Sequence, residues 1–133
     1  ASVRSYLETV FAWGAGDLEL KMPGGSDGND FFERFDASIA TATATAIDAT
    51  GTYEGAATAA VFSHGAAIRV WTARRALNIS PEFAGAHELD NTGVVELSGS
   101  PEGGWTLVSW AGLPAGGPRL VDQQAEDPTG EAL

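Results

Sequence analysis

Cysteine does not occur in the 133 residues, which excludes disulfides and any thiolate metal site and fits a cytoplasmic protein, the location expected here. Basic residues are scarce: seven Lys and Arg stand against 18 Asp and Glu, for a net charge of -11. Neutralising a phosphate backbone takes clustered Lys and Arg, so nucleic acid is excluded as a partner. No apolar run approaches the roughly 20 residues that span a bilayer. The first residues also lack the basic region and apolar stretch of a signal peptide, so a soluble chain with no membrane partner is expected. Two lone histidines make no metal cage, and Gly24-Gly25 is not followed by the Gly-Lys-Ser of a phosphate-binding loop. No metal and no cofactor are expected.

What is present suffices for a core. Hydrophobic residues make up 44 % of the chain, enough for one domain of ordinary size. That domain is expected over residues 1–111. Residues 112–133 are rich in Pro, Gly and acidic groups against a single Arg119, the composition of a loose or disordered tail.

Residues 2–13 read as a helix with Ser2 as N-cap and an apolar face of Val3, Tyr6, Leu7, Val10 and Phe11, stopped by Gly14 and Gly16. A loop over residues 17–29 surrounds Pro23-Gly24-Gly25. A second helix is expected to start at Asp27 or Asn29 and reach about residue 50, because Phe31, Phe35, Ile39, Ala42, Ala46 and Ala49 form one stripe. The Thr/Ala alternation over residues 41–46 also suits a strand, but alanine's helix preference and the register set by the phenylalanines favour helix. Residues 92–98 and 105–111 are apolar segments around a Gly/Pro turn and read as an antiparallel hairpin.

Between these lies the stretch on which the rest depends. Ala56-Ala57-Thr58-Ala59-Ala60-Val61-Phe62 has the length of a buried strand and runs through Ser63-His64-Gly65 into a helical pattern over residues 66–77. Ala66, Val70, Ala73 and Leu77 should face the sheet, with Ile68, Thr72 and Arg75 opposite; residues 81–87 add a turn of helix. His64 then stands at the carboxyl end of a strand, where ligands of open α/β sheets gather and the first amides of a helix can hold an anion. Arg69, Arg74 and Arg75 would concentrate positive charge nearby, although a solvated helix face is the plainer account of the last two.

Val61-Phe62-Ser63-His64-Gly65-Ala66-Ala67-Ile68-Arg69 and His87-Glu88-Leu89-Asp90-Asn91 resemble the C-terminal half of the histidine phosphatase superfamily, also called phosphoglycerate mutase-like. Pro23-Gly24-Gly25-Ser26 resembles the family's Pro-Gly-Gly-Glu-Ser turn without its Glu, and Gly104-Trp105-Thr106-Leu107-Val108-Ser109-Trp110 resembles its last strand. The resemblance implies an α/β fold: part of a three-layer α/β/α sandwich of the phosphoglycerate mutase-like type, with a C-terminal β-hairpin. The family's chemistry starts from an Arg-His-Gly motif on the first strand, with two arginines and an acidic proton donor. The only His-Gly pair here is at His64, and Arg4 is the sole arginine before Arg34. The sequence therefore reads as half of a catalytic domain. At most three strands are too few for a sheet covered on both faces, which points the same way.

By that resemblance His64 contacts the transferred phosphoryl group and is the catalytic residue within the chain, and Gly65 binds phosphate through its amide. Ser63, Asn91 and Ser26 are support, with His87 and Asn91 holding a loop. Asp27 either replaces the missing Glu or, more simply, competes to cap the helix. The implied function is phosphohydrolysis of a small phosphate ester through a phosphohistidine whose nucleophile half is absent. The alternatives are a non-catalytic phosphate-binding remnant, a partner-dependent subunit, or an acidic domain with no site. Expected partners are a small phosphorylated substrate or inorganic phosphate, with either a second copy of the chain or a complementary N-terminal segment.

Overall fold

The computed structural model describes residues 3–51, 57–118 and 120, over which four helices are followed by a three-stranded sheet. Helix α1 (Val3–Gly14) buries Thr9, Val10, Trp13 and Gly14. The expected apolar face is thus used only at its C-terminal end: Val3 is 76 % exposed, and Ser2 lies outside the described residues. The Trp13 indole N–H donates to the Leu20 carbonyl at 2.6 Å. Gly28 packs directly beneath the ring, where a Cβ would come within 2.7 Å of it. Even one methyl group would therefore overpack this junction.

Helix α2 (Gly28–Thr50) begins at Asp27, whose side chain accepts from the Asp30 amide while the Asp30 side chain accepts from Asp27 N–H. This reciprocal capping box uses the Asp27 carboxylate for structure. Gly51, at φ 68°, closes the helix with its N–H on the Ile47 carbonyl. The Thr/Ala stretch is helical because the threonine hydroxyls find acceptors inside the helix, Thr43 on the Ile39 carbonyl and Thr45 on that of Thr41. Only the first half of α2 is firmly packed. Phe31 stacks on Trp13 and Phe35 on Trp71, at centroid distances of 5.4 and 5.1 Å, whereas residues 40–50 are half-buried or exposed.

Helix α3 (Gly65–Arg75) is two residues shorter at its end than the spacing predicts, and it is buried on more than one side. Val70, Trp71, Thr72 and Ala73 are consecutive and all buried, because α1, the start of α2, α4 (Phe83–Ala86) and the sheet surround them. Two expectations fail for this reason: Thr72 is 1 % exposed and Leu77 is 73 % exposed. The chain leaves the helix at Ala76 to run beside β2 (Gly104–Trp110), with Leu77 N–H on the Trp105 carbonyl. The Asn78 amide then exchanges two hydrogen bonds with the Leu107 backbone, as a further strand residue would.

Asp36 ties α2 to α3. Its carboxylate accepts the Trp71 indole N–H at 2.8 Å and both Nε and Nη2 of Arg75 at 3.0 and 2.8 Å. Asp36→Ala leaves three N–H donors on two side chains without their acceptor, and partial exposure lets water recover some of the loss. A cost of about 1–3 kcal/mol is expected. Asp36→Asn, which keeps an acceptor for Trp71, should cost less, and thermal melting of the two variants measures the difference.

The hairpin expected near the C-terminus is present as β1 (Val95–Ser100) and β2, antiparallel, with a bulge between Glu96 and Leu97. The third strand is not the one expected. Residues 57–64 carry no strand pairing, and Ala56 lies outside the described residues. Phe62 is 94 % exposed, and His64 has the extended dihedrals of the expected strand end (φ -86°, ψ 148°) without a partner strand. A strand needs a neighbour to pair with, and no described segment provides one here.

Instead β3 (Leu113–Pro114) pairs with β2 after a two-residue turn at Ala111 and Gly112, both at positive φ (50° and 82°). That is the dihedral signature of a tight hairpin turn. The chain therefore stays on the sheet beyond residue 111, and Leu120 is buried at 3 % exposure. Residues 119 and 121–133, the rest of the expected tail, lie outside the described residues. Helices with a small antiparallel sheet of order β1-β2-β3 are consistent with an α/β fold of the phosphoglycerate mutase-like type. Among the described residues no helix is long and apolar enough to cross a membrane.

Candidate functional site

His64 is the N-cap of α3, with an extended backbone and an exposed side chain that makes no capping hydrogen bond. The first intrahelical bond runs from Ile68 N–H to the His64 carbonyl at 3.0 Å. The amides of Gly65, Ala66 and Ala67 therefore have no acceptor among the described residues, the ordinary state of a helix start. Three open N–H groups, the positive end of the helix dipole and an imidazole share one end of an 11-residue helix. An anion placed there would meet all of them.

Gly65 is where this end meets the loop after α4. A Cβ on Gly65 would stand 3.1 Å from the Leu89 carbonyl, so glycine lets the two backbones approach. The loop is held from several directions. His87 stacks on Phe83 at 3.8 Å and its Nδ1 lies 3.2 Å from the Phe83 carbonyl oxygen. The Trp110 indole N–H donates to the Glu88 carbonyl at 2.9 Å, and the Asp90 carboxylate accepts from both Thr92 N–H and its hydroxyl. Asn91 sits exposed in this braced turn, two residues past the Leu89 contact. Ser63 is exposed immediately before His64.

Ser26 lies elsewhere, on the wall of a cleft of about 210 Å³ bounded by α1, the turn before α2 and the first turn of α3. Ala67 lines that cleft but His64 does not. Asp27 caps α2 through the capping box, the simpler of its two expected roles.

The expected gathering of positive charge around His64 is not found. Arg69 turns away to give two hydrogen bonds to the Ala84 carbonyl, at 3.0 and 2.5 Å, with its guanidinium 4.7 Å over the Phe11 ring. Burial lowers its pKa, and Glu88 opposes that shift. Arg75 is taken by Asp36, and Arg74 lies 5.5 Å over the Phe32 ring. These arginines pack the fold. The basic residue on the Ser26 cleft is Arg34, which composition alone did not single out.

A model of the histidine phosphatase superfamily (branch 1) matches residues 2–112. Among curated proteins, the PE-PGRS family protein PE_PGRS11 of Mycobacterium tuberculosis (strain ATCC 25618 / H37Rv) is 36% identical over 123 residues. The match covers 84% of this chain and 20% of that protein, so the chain spans about a fifth of the relative's length. No solved structure matches. With the family model covering most of the chain, the chain belongs to the histidine phosphatase superfamily.

Proposed function

We propose that the chain contributes the second histidine of a phosphohydrolase site acting on a small phosphate ester, with the nucleophilic histidine on a segment outside these 133 residues. The observation that carries this reading is the exposed His64 side chain at a helix start with three open amides. In the first step the nucleophile's nitrogen attacks phosphorus, the P–O bond to the leaving group breaks, and the leaving oxygen takes a proton from an acidic donor on the same outside segment. Water then gives a proton back to that donor as it attacks phosphorus, the P–N bond breaks, and inorganic phosphate departs. The His64 ring and the Gly65 amide stabilise charge on the phosphoryl oxygens in both steps. Ser63 and Asn91 are support on the same face, and Ser26 is support on the neighbouring cleft.

The unpaired residues 57–64, with Phe62 94 % exposed, support a complementary N-terminal segment as partner. A second copy of the chain would cover the same surface but bring no nucleophile. A non-catalytic phosphate-binding remnant would use the same atoms, and the occurrence of the only His-Gly pair at His64 favours it as the second reading. A cytoplasmic location, argued from the cysteine-free composition, belongs to the same proposal.

Hydrolysis of 4-nitrophenyl phosphate tests the catalytic version. Turnover is expected only when the chain is joined to a segment bearing the Arg-His-Gly strand of a branch 1 relative, and His64→Ala should then reduce it by about a hundredfold or more. Turnover by the 133 residues alone that survives His64→Ala would contradict the assignment.

A further inference from the structure

From the Ser26 cleft we infer a specificity subsite for a ring-sized apolar group carrying an anionic substituent, with Arg34 as its selecting residue. As a statement about the substrate's leaving group this rests on the phosphohydrolase reading above; as a binding site it does not. The walls are Tyr6, Val10, Trp13, Met22 and Phe31, and the polar groups among the lining side chains are the Tyr6 and Ser26 hydroxyls, the Trp13 indole N–H and Arg34. The indole N–H is already given to the Leu20 carbonyl, which leaves the ring as apolar wall. A volume of about 210 Å³ admits a single ring and its substituent.

Arg34 has donors to spare. Nη2 gives one hydrogen bond to Ser26 Oγ at 3.1 Å and Nε a long one to the Asp30 carbonyl at 3.4 Å. Guanidinium carries five N–H groups, so the remainder can meet a ligand. Among the described residues no carboxylate lies within ion-pair distance of it, in contrast with Arg4 on Glu8 and Arg75 on Asp36. In a chain with a net charge of -11, most of the surface repels an anion. A cation held at an aromatic-walled cleft is a local exception. The Ser26 hydroxyl fixes the guanidinium over the cleft and keeps its own proton free to donate to the same anion.

Ala67 puts the first turn of α3 on the cleft wall, one turn from His64. A phosphate ester whose phosphoryl group lies on the α3 amides could thus lay its apolar body toward Trp13 and Phe31.

The test compares 4-carboxyphenyl phosphate, benzoate and inorganic phosphate by NMR titration of the wild-type chain and of Arg34→Gln. 4-Carboxyphenyl phosphate and benzoate should shift the Trp13 indole, Met22 methyl and Ala67 signals. 4-Carboxyphenyl phosphate should also bind about tenfold more tightly than inorganic phosphate. Arg34→Gln should remove that advantage in a chain that melts as the wild type does, while leaving the response of the Gly65 amide to inorganic phosphate unchanged. If benzoate still perturbs the cleft in an Arg34-dependent way while phosphate leaves His64 and Gly65 untouched, the subsite stands and the phosphohydrolase reading falls. Equal binding of 4-carboxyphenyl phosphate and inorganic phosphate, or an Arg34→Gln chain that binds the aromatic anions as the wild type does, overturns the subsite.

Discussion

Trp110→Ala should destabilise the domain by about 3–5 kcal/mol, the range for emptying a buried indole site. The ring is 2 % exposed, meets Phe83 edge-on at 5.0 Å and His87 at 6.4 Å, and gives its N–H to the Glu88 carbonyl. Removing it opens a cavity under α4 and releases the 87–91 turn together. Since a domain of this size is typically stable by about 5–15 kcal/mol, the loss takes a large part of the whole. Thermal melting should fall by roughly 10–20 °C. Trp110→Phe separates the two contributions. It keeps most of the packed ring and loses only the hydrogen bond, for about 1–2 kcal/mol, while amide exchange at residues 88–91 should still speed up. A Trp110→Ala chain that melts within a few degrees of the wild type would mean that the turn is braced by other contacts.

The turn matters because Leu89 backs directly onto Gly65. Loosening it frees the support behind the α3 start, so Trp110 reaches the candidate site through Glu88 and Leu89 rather than by touching a ligand. The arginines of α3 play a similar part. Arg69 and Arg75 fasten α3 to the Ala84 carbonyl and to Asp36 and leave the helix start to the amides and His64. The charge available to a phosphate at that end is therefore backbone charge plus one imidazole.

Much of this organisation is legible in the sequence, and the parts that are not have physical causes. Helices α1, α2 and α3 follow from periodicity and caps, down to the competition at Asp27 that the capping box resolves. The hairpin follows from two apolar runs around residues 99–104. The expected strand over residues 56–62 fails because an apolar run states only that burial is wanted. It does not supply the neighbouring strand. Thr72 and Leu77 are misplaced because one periodic face was assumed, whereas α3 is enclosed on several sides and the chain leaves it at Ala76. Of the site residues, the structure brings Gly65 to the loop that carries Asn91, with His64 and Ser63 at the same helix start, and puts Ser26 on a cleft reached through Ala67. Arg34 carries no signal in the sequence, where it is one cation on a helix; the fold sets it on the cleft wall.

The proposed phosphate site at the start of α3, built on His64, is tested most directly by titrating the chain with inorganic phosphate while recording the His64 ring and the Gly65, Ala66 and Ala67 amides by NMR. Saturable shifts confined to that helix start, weakened about tenfold or more by His64→Ala in a chain that still melts cooperatively, are the predicted result. Shifts that are absent, that scatter over the surface, or that are the same in His64→Ala would contradict it.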